Sequence, residues 1–95
     1  MKNNLEQYKK EIIDVLYKVG RDKNYLADFL KEILTPREFE NIAVRWQIVE
    51  RLGKGEHHHA IAEALHVGVA TVTRGSREMR KKDCSLRKAL KVIHS

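Results

Sequence analysis

The sequence of 95 residues is poor in cysteine, proline and aromatic side chains, with one Cys, one Pro and one Trp. Its single cysteine, Cys84, cannot form an internal disulfide, which fits a reducing compartment. No apolar run approaches the roughly 20 residues that a membrane-spanning helix needs. The first residues, MKNNLEQYKK, lack the apolar core of a signal peptide. We therefore expect a cytoplasmic protein without a membrane partner.

The chain also lacks the groups of residues that catalysis or metal binding requires. It has no glycine-rich phosphate loop and no nucleophile constellation around Cys84, and Glu38 and Glu40 fit a helix cap and a surface charge. The three consecutive histidines, His57–His59, would point about 100° apart on a helix, so they cannot all face one ion. We predict neither an enzyme nor a metal site.

What the sequence does contain is a series of amphipathic helical patterns. Hydrophobic residues make up 42% and charged residues 34% of a chain that is long enough for one domain with a modest core. Apolar residues recur at helical spacing, and no pair of strand patterns accompanies them. We predict an all-α chain of six helices: 5–19, 25–34, 36 to about 54, two short helices within 60–80, and 85–93.

The longest predicted helix begins at the clearest local signal in the chain. Thr35 can cap the helix, Pro36 suits its first turn, and Glu38 can close a capping box. Ile48 adjoins the apolar stripe of this helix, so the apolar arc is wide enough to cover more than one surface. The stripe itself consists of Phe39, Ile42, Ala43, Trp46, Val49 and Leu52.

The stretch Ala60–Arg80 predicts two short helices joined by a tight turn. His66 would take the turn position that needs positive φ, Val67 would be buried, and Gly68 would be the N-cap of the second helix. That helix has a buried stripe of Val69, Val72 and Met79. Its polar, cationic outer face suits the DNA major groove and carries Thr71, Thr73, Arg74, Arg77, Arg80 and Lys81.

The net charge of +6 is unevenly distributed along the chain. Residues 1–70 hold 11 Lys/Arg and 11 Asp/Glu, whereas residues 71–95 hold eight positive and two negative side chains. A polyanion is the natural partner for this excess, and we predict phosphate contacts for Arg77, Lys81 and Lys82. The ring of His58 can also approach a phosphate, although a purely surface role for it stays open.

Two segments of the chain resemble the tryptophan repressor family of bacterial transcription regulators. One runs from Leu34 to Glu56 and includes LTP, Arg45, IVE and GE; the other is GVATVTRGS at Gly68–Ser76. The resemblance implies a six-helix fold with a helix-turn-helix, in an intertwined homodimer. It also implies a transcriptional repressor that binds double-stranded DNA sequence-specifically, with L-tryptophan as corepressor. Within one domain, residues 1–56 and 83–95 would form a dimerisation core and residues 57–82 a reading head.

The resemblance also assigns ligand contacts to individual residues. Arg45 and Arg74 would place their guanidinium groups on the two faces of the tryptophan indole. Arg74 would also pair with the ligand carboxylate, Thr35 would contribute a hydroxyl, and Gly75 would leave room for the ring. The backbone around Glu32–Leu34, from the partner subunit, would receive the ligand ammonium.

One position departs from the family, which commonly has Ser where this chain has Glu78. The Glu78 carboxylate can bind the ligand ammonium, or it can form helix-surface ion pairs with Arg74 and Lys82 that would weaken tryptophan binding. The positions that match DNA-facing residues of the family are Val69, Ala70, Thr71 and Thr73.

Two other functions remain open at this point. A regulator with the same fold can bind DNA without tryptophan. A small helical dimer can also use its helix-turn-helix for protein contacts. Binding to duplex DNA with and without L-tryptophan separates these functions from the repressor.

Overall fold

A computed structural model describes residues 2–95, which form six α-helices and contain no strand. They fall into two compact units, one ending at Phe39 and one running from Glu40 to Ser95. The prediction of an all-α chain with six helices is confirmed. Within residues 2–95, none of the helices combines the length and apolar character needed to cross a bilayer. In order, they are α1 (Lys2–Val19), α2 (Lys23–Ile33), α3 (Pro36–Gly53), α4 (His58–Leu65), α5 (Val69–Met79) and α6 (Ser85–Ile93).

In the first unit, α1 packs against α2 and buries Val19. The N–H of Gly20 closes α1 by donating to the Leu16 carbonyl at 2.8 Å. The second helix begins two residues before the predicted Tyr25, because the Asp22 carboxylate accepts the N–H of Tyr25 at 3.1 Å and caps the helix. The polar link between the helices is therefore shorter than predicted.

The predicted capping box at the start of α3 is present. Thr35 Oγ1 accepts the N–H of Glu38 at 3.1 Å, and Glu38 Oε1 accepts the N–H of Thr35 at 2.8 Å. Pro36 is the first helical residue, where its missing N–H costs no intrahelical bond. The hydrogen bond from the Thr35 backbone, aided by the Thr35 side chain, lowers the pKa of the Glu38 carboxyl below its usual value of 4.5.

The core of the second unit lies where α3, α4 and α5 meet. Ile48 of α3 is 2% exposed, and Ile61 of α4 and Val72 of α5 are both 0% exposed. Ala62 completes this buried cluster. The half-buried side chains that pack around it are Val44, Leu52, Leu65 and Val67.

The apolar stripe predicted for α3 is only partly the side that packs into this core. Ile42 is 52% exposed and Ala43 is exposed, whereas Val44, outside the predicted stripe, packs against the buried cluster. The apolar arc of α3 is wider than one contact surface. The chain therefore covers the side that carries Val44 and Ile48 and leaves the side that carries Ile42 open.

The turn between α4 and α5 has the predicted geometry. His66 has φ 56° and ψ 45°, in the left-handed region, and its N–H bonds to the carbonyls of Ala62 and Glu63. The N–H of Val67 also donates to the Ala62 carbonyl, at 3.0 Å, and its side chain packs against the core. Gly68 is the N-cap of α5. These residues form a helix-turn-helix.

On α5, the predicted buried stripe needs one correction. Val72 is fully buried and Met79 is half-buried, but Val69 is 37% exposed. Val69 is the first residue of α5, so no preceding turn of that helix covers it. Its exposure agrees with the DNA-facing position that the resemblance gives it.

The last helix, α6, packs against the end of α3. A Cβ at Gly53 would lie 2.8 Å from Leu90 Cδ1, at the end of a flexible side chain, so the two helices lie close together at this point. One turn of α6 later, His94 Nε2 lies 2.9 Å from both carboxylate oxygens of Glu50. Two contacts therefore hold the C-terminal helix on α3.

The N-cap of α6 is Cys84, which is buried. Capping by Asp83 or Ser85 would be the expectation from residue type. Asp83 instead has φ 56° and turns the chain before the helix begins. Hydrogen bonding from the backbone N–H of Arg87 lowers the pKa of the Cys84 thiol.

The capping box predicts both a loss of stability and a change in its pH dependence. We expect Thr35→Ala to lower the free energy of unfolding by about 1 kcal/mol, because the Glu38 N–H loses its acceptor. The pKa of Glu38 is lower in the folded state, so its stabilising effect is present above 4.5 and disappears as the pH falls through the folded pKa. Urea unfolding at a series of acidic pH values should show a weaker pH dependence for Glu38→Gln.

Glu40→Gln is the matched control, because Glu40 is an exposed carboxylate of the same helix that makes no side-chain hydrogen bond within residues 2–95. Equal effects of the two Glu→Gln substitutions on the acid limb of the stability curve would contradict a specific role for the cap.

Candidate functional site

A cavity of about 500 Å³ opens in the second unit, between α3 and α5. Its walls combine charged groups with apolar side chains, which is the usual composition of sites for small organic ligands. One wall residue comes from α6. The lining consists of Ile42, Arg45, Trp46, Ile48, Val49, Thr71, Arg74, Gly75, Glu78 and Leu86.

Arg45 of α3 and Arg74 of α5 both line this cavity. Both side chains are exposed, and neither forms an ion pair with any residue in the described range 2–95. An exposed guanidinium that forms no ion pair can bind a carboxylate or stack on an aromatic ring. The structure thus places on one cavity wall the two cations that the family resemblance assigns to one ligand.

Gly75 also lines the cavity, and its position explains how closely α5 approaches α3. A Cβ at residue 75 would lie 3.0 Å from Ile48 Cγ2 and 3.7 Å from Leu52 Cδ1. The first distance is tighter than ordinary van der Waals contact. The absence of a side chain at Gly75 therefore serves helix packing, in addition to the predicted room for a ligand ring.

Among the described residues, Glu78 is the only one that brings a carboxylate to the cavity wall. Its Oε1 and Oε2 atoms lie 3.0 and 2.9 Å from the Lys81 ammonium. Ion pairs with Arg74 and Lys82 were one of the two alternatives for Glu78, and neither pair is present in residues 2–95. The α-helix ends at Met79, so spacing of four residues no longer brings Lys82 above Glu78, and the tighter turn that follows brings Lys81 there.

The residues expected to face DNA lie mostly at the start of α5. Val69, Ala70 and Thr71 are exposed, and Thr71 also borders the ligand cavity. Thr73 is half-buried, and its Oγ1 lies 3.5 Å from Nδ1 of His58 on α4. The exposed part of α5 therefore lies directly beside the cavity.

Histidine side chains near α4 do not form a metal site in the described residues. No group of three or more His, Cys, Asp or Glu side chains in the range 2–95 is placed to hold an ion. His58 is half-buried and faces Thr73, whereas His57 and His59 are exposed. A phosphate contact of His58 stays a prediction.

The basic residues that follow the exposed part of α5 are accessible. Arg77, Lys81 and Lys82 are all exposed, the last two in the loop before α6. Arg87 of α6 donates to the Lys81 carbonyl at 2.6 Å and so ties this loop to the helix that follows. The backbone of the loop that carries Lys81 and Lys82 is therefore held by a hydrogen bond to α6.

Three predicted ligand contacts belong to the first unit, at the junction of α2 and α3. Glu32 is exposed, and Leu34 is half-buried with an extended backbone at φ −99° and ψ 146°. The Thr35 oxygen accepts the Glu38 N–H, which leaves its O–H able to donate to another group. Their part in ligand binding stays a prediction.

Sequence reasoning did not assign Trp46 or Leu86 to the cavity. Trp46 belongs to the apolar stripe predicted for α3; it is half-buried and also borders a second cavity of about 220 Å³. Trp46 directly follows Arg45 in α3, but helical periodicity cannot show which wall of a cavity Trp46 forms. The second cavity is lined by Trp46, Gln47, Glu50, Arg51, Lys54 and Glu56.

Comparison with known proteins points to one family. Residues 7–93 match the family described as Trp repressor protein. A Trp operon repressor homolog of Vibrio vulnificus is 44% identical over 74 residues, which cover 77% of this chain and 72% of that protein. A protein of the same name from Photobacterium profundum is 36% identical over 72 residues, with 75% and 69% of the two chains covered.

A third relative, the Trp operon repressor homolog of Vibrio parahaemolyticus, is 38% identical over 65 residues, or 67% of this chain. The match spans 63% of that relative's length, slightly less than two thirds. The family match, in contrast, takes in all residues of the cavity wall and the whole helix-turn-helix. The chain belongs to the Trp repressor protein family.

Proposed function

We propose that this chain is a transcriptional repressor that binds double-stranded DNA sequence-specifically and is activated by L-tryptophan. The observation that carries the proposal is that Arg45 and Arg74 line one cavity while Thr71 is exposed beside it. The family consists of transcription regulators, and relatives named Trp operon repressor homolog support repression rather than catalysis. The ligand site and the DNA-binding surface then share one helix, α5.

L-tryptophan fits the chemistry of the cavity wall. An indole between the guanidinium groups of Arg45 and Arg74 gains a cation–π contact on each face. The planar fork of Arg74 also matches the ligand carboxylate. Thr35 adds a hydroxyl donor, and backbone carbonyls around Glu32–Leu34 of the partner subunit accept from the ammonium. Bound tryptophan would then set the angle between α3 and α5.

DNA binding follows from the exposed side of α5 and the basic segment after it. Ala70 and the methyl group of Thr71 can contact a thymine methyl in the major groove, and hydroxyl groups can read base edges. The surplus positive charge lies in residues 71–95. Arg77, Lys81 and Lys82 would hold the phosphates on either side of the groove.

Homodimerisation would cover a large apolar surface. In the part of the chain that the structure describes, helices α2 and α6 have no buried residue. A second copy supplies a matching surface for such helices. The exposed large apolar side chains of α1, α2, α3 and α6 are Leu5, Tyr8, Ile13, Val15, Tyr17, Tyr25, Ile33, Ile42, Val92 and Ile93.

In this dimer, residues 1–56 and 83–95 form the core and residues 57–82 the two reading heads. The heads would meet half-sites about 34 Å apart, a spacing general to helix-turn-helix dimers, the Trp repressor included. Such a regulator works where the chromosome is, so we keep the cytoplasm as its expected location.

The proposal is tested by selecting duplexes from a randomised pool with and without L-tryptophan at fixed salt. We expect one sequence family to be enriched only when tryptophan is present. Equal enrichment in both conditions would support a regulator that works without tryptophan. Failure to enrich any sequence would support a protein-interaction module.

The ligand site predicts a specific effect of Arg74→Ala. Loss of both the stacking contact and the carboxylate pair should weaken tryptophan binding about 100-fold, as measured by calorimetry. Lys88→Ala removes one exposed positive charge from α6, outside the cavity wall, and controls for net charge. Near-normal tryptophan affinity of Arg74→Ala would refute the assignment of the pocket.

The DNA surface predicts different effects for Thr71→Ala and Lys82→Ala. Loss of a base contact at Thr71 should weaken binding to the selected duplex about tenfold and leave binding to random duplexes unchanged. Lys82→Ala should weaken binding to the selected and to the random duplexes alike. It should also reduce the slope of log affinity against log salt concentration by about 1. Fluorescence anisotropy at several salt concentrations measures both quantities. An unchanged slope would exclude Lys82 from phosphate contact, and equal losses on both duplexes would exclude Thr71 from base readout.

A further inference from the structure

One carboxylate faces both the ligand cavity and the basic loop that follows α5. Glu78 lines the cavity, and the Lys81 ammonium lies within 3.0 Å of both of its oxygens. Lys81 is in turn one of the exposed lysines at the expected DNA surface. The two sites are therefore joined by a single ion pair at the end of α5.

The charges on the cavity wall select a class of ligand. Arg45 and Arg74 attract a carboxylate, and Glu78 can accept a positively charged group of the same ligand. An aromatic acid without an amine satisfies only the arginines. An aromatic amino acid with a protonated α-amine satisfies the arginines and Glu78 together.

We propose that Glu78 is a carboxylate shared between the effector and the DNA. It accepts the ammonium of an aromatic amino acid in the cavity, and this releases Lys81 to bind a backbone phosphate. The inference rests on the proposed function, and it adds both the reason for amine selectivity and a route by which the ligand strengthens DNA binding.

The exchange works in both directions. A phosphate that draws Lys81 away from Glu78 leaves the carboxylate available to the ligand ammonium, so each partner favours the other. The Glu78 and Lys81 side chains are 49% and 64% exposed. Exposed ion pairs are weak, so the exchange accounts for about a two- to fivefold change in affinity.

The test compares two ligands that differ only in the amine, L-tryptophan and indole-3-propionate. The selectivity ratio is the Kd of indole-3-propionate divided by the Kd of L-tryptophan, both measured by calorimetry. We expect Lys81→Met to raise this ratio about two- to fivefold, because the ammonium no longer competes with Lys81. Glu78→Gln should lower it, and Lys81→Met should then have no further effect.

Two controls complete the experiment. Lys88→Met removes an exposed charge from α6, outside the cavity wall, and should leave the ratio unchanged. Saturating duplex DNA should raise the ratio of the unaltered protein about two- to fivefold, because phosphate takes Lys81, but should not change it for Lys81→Met.

The outcomes separate this inference from the proposed function. If neither indole binds the unaltered protein, both are overturned. Suppose that both indoles bind. If Lys81→Met leaves the ratio unchanged, or if it changes the ratio as much in Glu78→Gln as in the unaltered protein, Glu78 is not a shared carboxylate. The proposed tryptophan pocket is not contradicted by either result. A ratio that responds to Lys81→Met but not to DNA overturns the link to phosphate.

Discussion

The close approach of α5 to α3 is the contact on which the candidate site depends. Val72 is fully buried against Ile48, and three residues later Gly75 presents no Cβ where one would lie 3.0 Å from Ile48 Cγ2. Arg74 is the neighbour of Gly75 on α5, and it lines the same cavity as Arg45 of α3. A larger residue that separated the helices would move the two guanidinium groups apart. The packing of an apolar core therefore sets the width of a polar site.

The side chains of α5 face three different environments. Val72 faces the core, Arg74 and Glu78 face the cavity, and Ala70 faces solvent. Thr71 borders the cavity and is exposed, so a ligand in the cavity lies next to the surface proposed to read DNA. A helix of 11 residues can transmit ligand binding to DNA over a very short distance. No long pathway of coupled residues is required.

The features that sequence reasoning predicted correctly depend on residues that are close along the chain. The capping box links Thr35 and Glu38, and the left-handed turn at His66 needs only a residue that tolerates positive φ. Periodicity cannot decide which side of a wide apolar arc is covered, so it did not separate the buried Ile48 from the exposed Ile42. It also failed at the end of α5, where the helix stops and Lys81 replaces Lys82 as the partner of Glu78. The cavity itself depends on contacts between helices, which no local pattern specifies.

The central claim is that the guanidinium groups of Arg45 and Arg74 hold an indole between them. A crystal structure of the protein with bound L-tryptophan tests it most directly. We predict that the indole lies in the cavity between α3 and α5, with both guanidinium carbons within about 6 Å of the ring centroid. An indole bound elsewhere, or in contact with only one of the two arginines, would contradict the account.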